Sequence, residues 1–182
     1  MAIGRHSCGR WRSGDGSHRV PANPLPTPSR DLGLILHPFD LATNKVLALV
    51  GRLEPRDWID VIERDQRLQP LGYLAWAASG KDPGFSPPAA RSSRYSAAEI
   101  AALDFEGEPP DAAALSRRWR AILEAARAVV QTLPAQQVGR CVLDERNELF
   151  TGQGAALRSA LDLDRLRFHA ASLRGSLPRM VG

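Results

Sequence analysis

Five of the six charged side chains between residues 45 and 60 recur at helical intervals that either a binding site or an ion-pair clamp could use. The stretch NKVLALVGRLEPRDWID carries Lys45, Arg52, Arg56, Asp57 and Asp60 beside an apolar ridge. Lys45 and Arg52 are seven residues apart, which on a 3.6-residue helix brings them within about 20° of one another. Leu41 and Leu49 flank them, while Val46, Val50 and Leu53 mark the side that a core would bury. Both cations are expected to project from one face, at the border of the core. Beyond Pro55, Arg56 and Asp60 are four residues apart and are expected to pair across a turn. Asp57 takes another bearing, towards the end of the preceding helix. Fixed cations suit phosphate oxygens, because each adds a charge-assisted hydrogen bond. The same residue types also suit an ion-pair clamp of Arg52, Arg56, Asp57 and Asp60 between two helices, worth little where exposed. Spacing alone leaves both readings open.

Lysine is scarce. Of 24 basic residues in the 182-residue chain, only Lys45 and Lys81 are lysines and the other 22 are arginines. So wide an arginine bias most simply reflects codon composition. An ammonium is a compact point charge that reaches between phosphate oxygens where the wide arginine fork fits less well. That gives position 45 a reason to keep a lysine. The net charge of +4 is mild and the arginines are dispersed, so a nucleic-acid surface is not expected. Two cysteines, Cys8 and Cys141, make no disulfide framework and point to a reducing compartment. Residues 1–20 lack the apolar run of a secretory signal, and no stretch is long and apolar enough for a membrane span. A cytoplasmic, soluble protein is expected.

The elements that must hold these side chains are legible in part. Residues 1–30 are filled with glycine, proline, serine and arginine and are expected to be disordered or loosely attached. His6, Cys8, Asp15 and His18 within them match no zinc spacing. Residues 31–182 are expected to form the folded part. LGLIL reads as a short buried strand or its end. Asp40 reads as the N-cap of a helix from Leu41 to Leu53, and Pro55 opens a second that turns Trp58, Ile59 and Ile62 inward. A short apolar helix covers Leu71 to Ala78, and Ser96 with Glu99 forms a capping box for AAEIAAL. The longest periodic element runs from Ala112 to Leu133 behind an Asp111 cap. Leu115, Trp119, Ile122, Ala126, Val129 and Leu133 face inward there, with the arginines in solvent. RCVLDERNELF reads as a small hairpin, GAALRSALDL as a helix, and the closing segment around His169 as extended.

The longer stretch LHPFDLATNKVLALVGRLEPRDWIDVIE resembles the post-catalytic helical motif of the nucleotidyltransferase superfamily's AbiEii/AbiGii toxin-like family. Lys45, Arg52, Arg56, Asp57 and Asp60 stand at the lysine, arginine, Arg-Asp and aspartate positions of that motif. The resemblance implies that Lys45 and Arg52 bind nucleotide phosphates, with Arg56, Asp57 and Asp60 in support. It implies for residues 31–182 a mainly α fold with minor β, an α+β arrangement built as the C-terminal helical part of a nucleotidyltransferase-like fold. It also implies Mg²⁺ and a nucleoside triphosphate as family cofactor and substrate, and an antitoxin or complementary catalytic chain as partner. The family's catalytic half carries a Gly-Ser turn and an Asp-x-Asp pair for Mg²⁺, and neither is found here. Asp162 to Asp164 has the letters of that pair but falls inside a helical pattern, without the preceding turn. Nucleotidyl transfer needs carboxylates that hold the metal. The chain is therefore expected to bind without turning over. A non-catalytic interaction module and a weak nucleic-acid binder are the alternatives.

Overall fold

A computed structural model describes residues 27–29, 33–35, 37–52, 54–87, 97–101, 103 and 110–170. The description is mainly helical with two small antiparallel sheets. Strands β1 (Thr27–Ser29) and β2 (Gly33–Ile35) pair with Thr27 opposite Ile35. The expected strand is present as β2, and its partner lies inside the segment read as unstructured. Helices α1 (Pro38–Arg52), α2 (Pro55–Arg67), α3 (Leu71–Ala78), α4 (Ala97–Ala101) and α5 (Ala112–Thr132) follow. Strand β3 (Cys141–Leu143), helix α6 (Ala155–Asp162) and strand β4 (Arg167–His169) close the described order. Among the described residues, no helix is long and apolar enough to cross a membrane.

The first helix starts earlier than its sequence suggests. Pro38 is its first residue, where the missing N–H costs nothing. The Phe39 N–H donates to His37 Nδ1 at 3.2 Å, so the capping contact comes from His37. Asp40 is thus not the N-cap. It lies within the first turn, is buried, and meets Lys81 Nζ at 2.9 Å. Helix α2 begins at Pro55 as expected and buries Trp58 and Ile62, with Ile59 half-buried. The Asp111 side chain caps α5 by accepting the Ala113 N–H at 2.8 Å. Leu53 and the Ser96 half of the capping box lie outside the described residues.

The core divides into two clusters that share α3. Phe39, Ala42, Val46 and Leu49 of α1 step along one face and meet Trp58 and Ile62 of α2 and Leu71 and Leu74 of α3. The rings of Trp58 and Trp119 meet edge to face at 6.2 Å and tie α2 to α5. The other side of α3 sends Tyr73 and Trp76 into a second cluster with Val129, Val142, Leu157 and Leu166. Every residue of α3 is buried for that reason. Its crossing with α5 is close because Gly72 has no side chain: a Cβ there would stand 2.6 Å from Val129 Cβ.

The predicted hairpin is present but short, closed by the Asp144 N–H donating to the Glu148 carbonyl at 2.9 Å and the Phe150 N–H to the Val142 carbonyl at 3.1 Å, and β3 takes a second partner. Past the turn the chain bridges back from Leu149 to Leu143, and β3 also forms a ladder with β4, with Cys141 opposite His169. The turn itself is shaped locally. Asp144 Oδ1 accepts the N–H groups of Arg146 and Glu148 at 2.8 and 2.9 Å, which folds the turn tightly. The chain then leaves, because the Phe150 ring packs edge to face on Tyr73 at 5.9 Å. Gln69, fully buried, fixes this departure by donating from Nε2 to the carbonyls of Val142 and Phe150 at 3.0 and 2.8 Å.

Candidate functional site

Lys45 leaves α1 just outside the buried face of Val46 and Leu49, and Arg52 leaves it two turns later. Helix α2 folds back beside α1 and brings Asp57, in its first turn, and Asp60 against them. A carboxylate in that turn is favoured by the N–H groups that the helix leaves unpaired. Lys45 Nζ lies 3.1 Å from Asp57 Oδ1 and 2.7 Å from Asp60 Oδ2. Arg52 Nη2 lies 3.2 Å from Asp57 Oδ2. That last distance is a charge contact without aligned hydrogen-bond geometry, since Oδ2 has no hydrogen-bond donor among the described residues. The two oxygens of Asp57 are thus divided between two cations of one helix face.

Exposure grades the four side chains. Asp57 is 3% exposed, Lys45 27% and Asp60 28%, while Arg52 is 59% exposed. Burial alone would pull the Lys45 ammonium down, but its hydrogen bonds and charge contacts with Asp60 and Asp57 outweigh that and raise its pKa above the ordinary lysine value. The expected Arg56–Asp60 pair gives way to Lys45–Asp60, and Arg56 stays exposed. Four of the five predicted residues are brought together, and Arg56 stays outside their contacts. An ion-pair clamp between the two helices is visible in these contacts, with Lys45 in the place expected for Arg56.

The second lysine forms a site that sequence reasoning missed. Lys81 Nζ donates to the Asp40 carbonyl at 3.2 Å and to Asn44 Oδ1 at 3.1 Å, and also faces the Asp40 carboxylate. The ammonium is 6% exposed and ties the turn after α3 to the first turn of α1. The scarcity of lysine was the available signal, together with Asp40 and Asn44 four apart on one helix face. Burial, with the Asp40 charge nearby, pushes the Cys141 thiol well above its usual range, which leaves it a packing residue.

A cleft of about 340 Å³ lies between the Asp144 turn and α6, lined in part by Glu145, Arg146, Phe150, Ser159 and Arg165. None of the five predicted residues lines it. Among the described residues, the candidate carboxylates for Mg²⁺ are not arranged to hold it. Asp57 and Asp60 are occupied by cations, and Asp162 and Asp164 are exposed at and beyond the end of α6. Among the described residues, no group of three or more His, Cys, Asp or Glu side chains is placed to hold a metal. His169 lies half-buried on β4, with its Nε2 enclosed by packing.

No family model, no curated protein and no solved structure matches this chain. None of these comparisons supports the resemblance to the AbiEii/AbiGii toxin-like family, which spans residues 31–179 and is carried by the Lys45 to Asp60 motif and the closing LRFHAASLRGSLPR.

Proposed function

We propose that this chain is the phosphate-binding helical part of a nucleotidyltransferase-like protein of toxin–antitoxin type, one that binds a nucleoside triphosphate without transferring its nucleotide. The observation that carries the reading is the convergence of Lys45 and Arg52 on the two oxygens of the buried Asp57 carboxylate. A shared carboxylate holds both cations in place before a ligand arrives, so less side-chain entropy is lost on binding. Arg52 remains accessible, and its planar fork complements phosphate oxygens. The test is Mg²⁺-dependent transfer of labelled nucleotide, run beside direct ATP binding. The purified chain is expected to bind ATP, to lose at least ten-fold in affinity on Lys45→Ala, and to give no transfer. Turnover that disappears in Lys45→Ala would overturn the inactivity; binding indifferent to Lys45 would overturn the site.

A second reading, a non-catalytic module that docks a partner chain, is favoured by the β1–β2 ribbon. Its described ladder is only two strands wide, and such a ribbon is marginal without a further strand or a helix against it. An antitoxin or a chain supplying the catalytic half would add a strand beside Gly33–Ile35. Size-exclusion chromatography with light scattering checks this, and a clean monomer that captures no strand-bearing partner counts against it.

A further inference from the structure

Asp57 and Asp60 both touch Lys45, yet their surroundings differ in every respect that governs release. Asp57 is 3% exposed, sits in the first turn of α2 and has both oxygens engaged by cations. Asp60 is 28% exposed, stands almost a turn further along, and makes its described ion pair with Lys45 alone. Freeing a buried carboxylate leaves a charge without water or partner, whereas one at the surface rehydrates where it stands. With both carboxylates in place, the two cations and two anions sum to zero, which gives an approaching anion little net attraction. Moving Asp60 aside restores one positive charge, still aimed by Asp57.

We infer that Asp60 is a built-in competitor that an incoming polyphosphate displaces from Lys45, while Asp57 is the positioning carboxylate that stays. This rests on the phosphate reading of Lys45 and Arg52 and adds a selectivity to it. A single small anion meets Lys45 already satisfied at 2.7 Å by Asp60. A polyphosphate chain reaches Arg52 and Lys45 together and so replaces Asp60 with several oxygens at once. The ligand class is therefore a di- or triphosphate chain, with orthophosphate excluded.

Isothermal titration calorimetry with ATP, inorganic triphosphate and orthophosphate tests this on the full chain and on Asp60→Asn, Asp60→Ser, Asp60→Glu and Lys45→Ala. Both neutral variants are expected to bind triphosphate about five-fold more tightly, as removal of one like charge near 4 Å predicts in a water-exposed setting. They should also gain measurable orthophosphate binding. Asp60→Glu restores the competing charge and should behave as the parent does. Equal binding of ATP and triphosphate assigns recognition to the phosphate chain, and tighter ATP binding adds a nucleoside contribution; either supports the inference. If Lys45→Ala weakens binding while the neutral Asp60 variants bind equally or less well, Asp60 is no competitor and the phosphate site stands. If Lys45→Ala changes nothing, the phosphate site falls and this inference falls with it.

Discussion

Lys45 and Asp57 are the side chains on which the site depends most directly. The raised Lys45 pKa has a consequence for stability whose sign is fixed by linkage. The folded state holds the proton more tightly than the unfolded chain does. The stabilisation is therefore fully present below the ordinary lysine value of 10.5 and is lost as pH rises through the higher folded value. Urea melts from about pH 9 to pH 12 should show the parent losing stability in that alkaline window more than Lys45→Met does. Removal of Asp57 acts differently, because it strips a buried partner from both cations. Asp57→Ala is expected to cost about 2 kcal/mol at neutral pH, read as a lowered urea midpoint. In a Cys8→Ser background, Cys141 should resist thiol reagents until denaturant is added, since its thiol is enclosed and held protonated.

Among the elements, α3 and the turn that precedes it are the most exacting. Gly72→Ala forces a methyl to 2.6 Å from Val129 Cβ and should cost about 1–3 kcal/mol by overpacking. Thermal denaturation of Gly72→Ala with and without Val129→Ala checks the cause, since the double variant should lose less than the two single effects combined. Gln69 is fully buried and serves two carbonyls, so Gln69→Leu should loosen the chain where it leaves β3 near Phe150. The helices were largely legible because their punctuation is local: Pro55 opens α2, Asp111 caps α5, and apolar residues recur at helical steps. The start of α1 was not, because Asp40 has the type of a capping residue but is claimed by Lys81, forty-one residues away. Nor was the β3–β4 pairing, which joins Cys141 to His169 across the intervening α6, beyond the reach of any local signal. At the site, helical spacing put Lys45 and Arg52 on one face. The partner of Asp60 was hidden, since an i,i+4 rule sees Arg56 and cannot see across to α1.

For the molecule as a whole, sharing α3 between two apolar clusters couples the halves of the described fold. Loss of either cluster exposes one side of a helix that has no polar face. Tryptophan fluorescence and far-ultraviolet circular dichroism should report a single urea transition with coincident midpoints. The mild net charge bears on partners at this scale. With +4 spread over mixed-sign surfaces, affinity for DNA should be weak and should fall steeply with salt. Tight, base-selective binding at about 0.2 M salt would instead revive the nucleic-acid alternative.

Two bare stretches of main chain meet where Gly80 passes Gly139. A methyl on the first would lie 2.3 Å from the carbonyl oxygen of the second, which itself has φ +84 and donates its N–H to the Trp76 carbonyl at 3.0 Å. The obstacle on each side is peptide, so no compensating change in a neighbouring side chain makes room. Over evolutionary drift, or in a saturation library, these two sites should refuse every alternative while exposed positions a few residues away accept most. Their intolerance would then mark an architectural seam, and it should not be mistaken for a trace of chemistry.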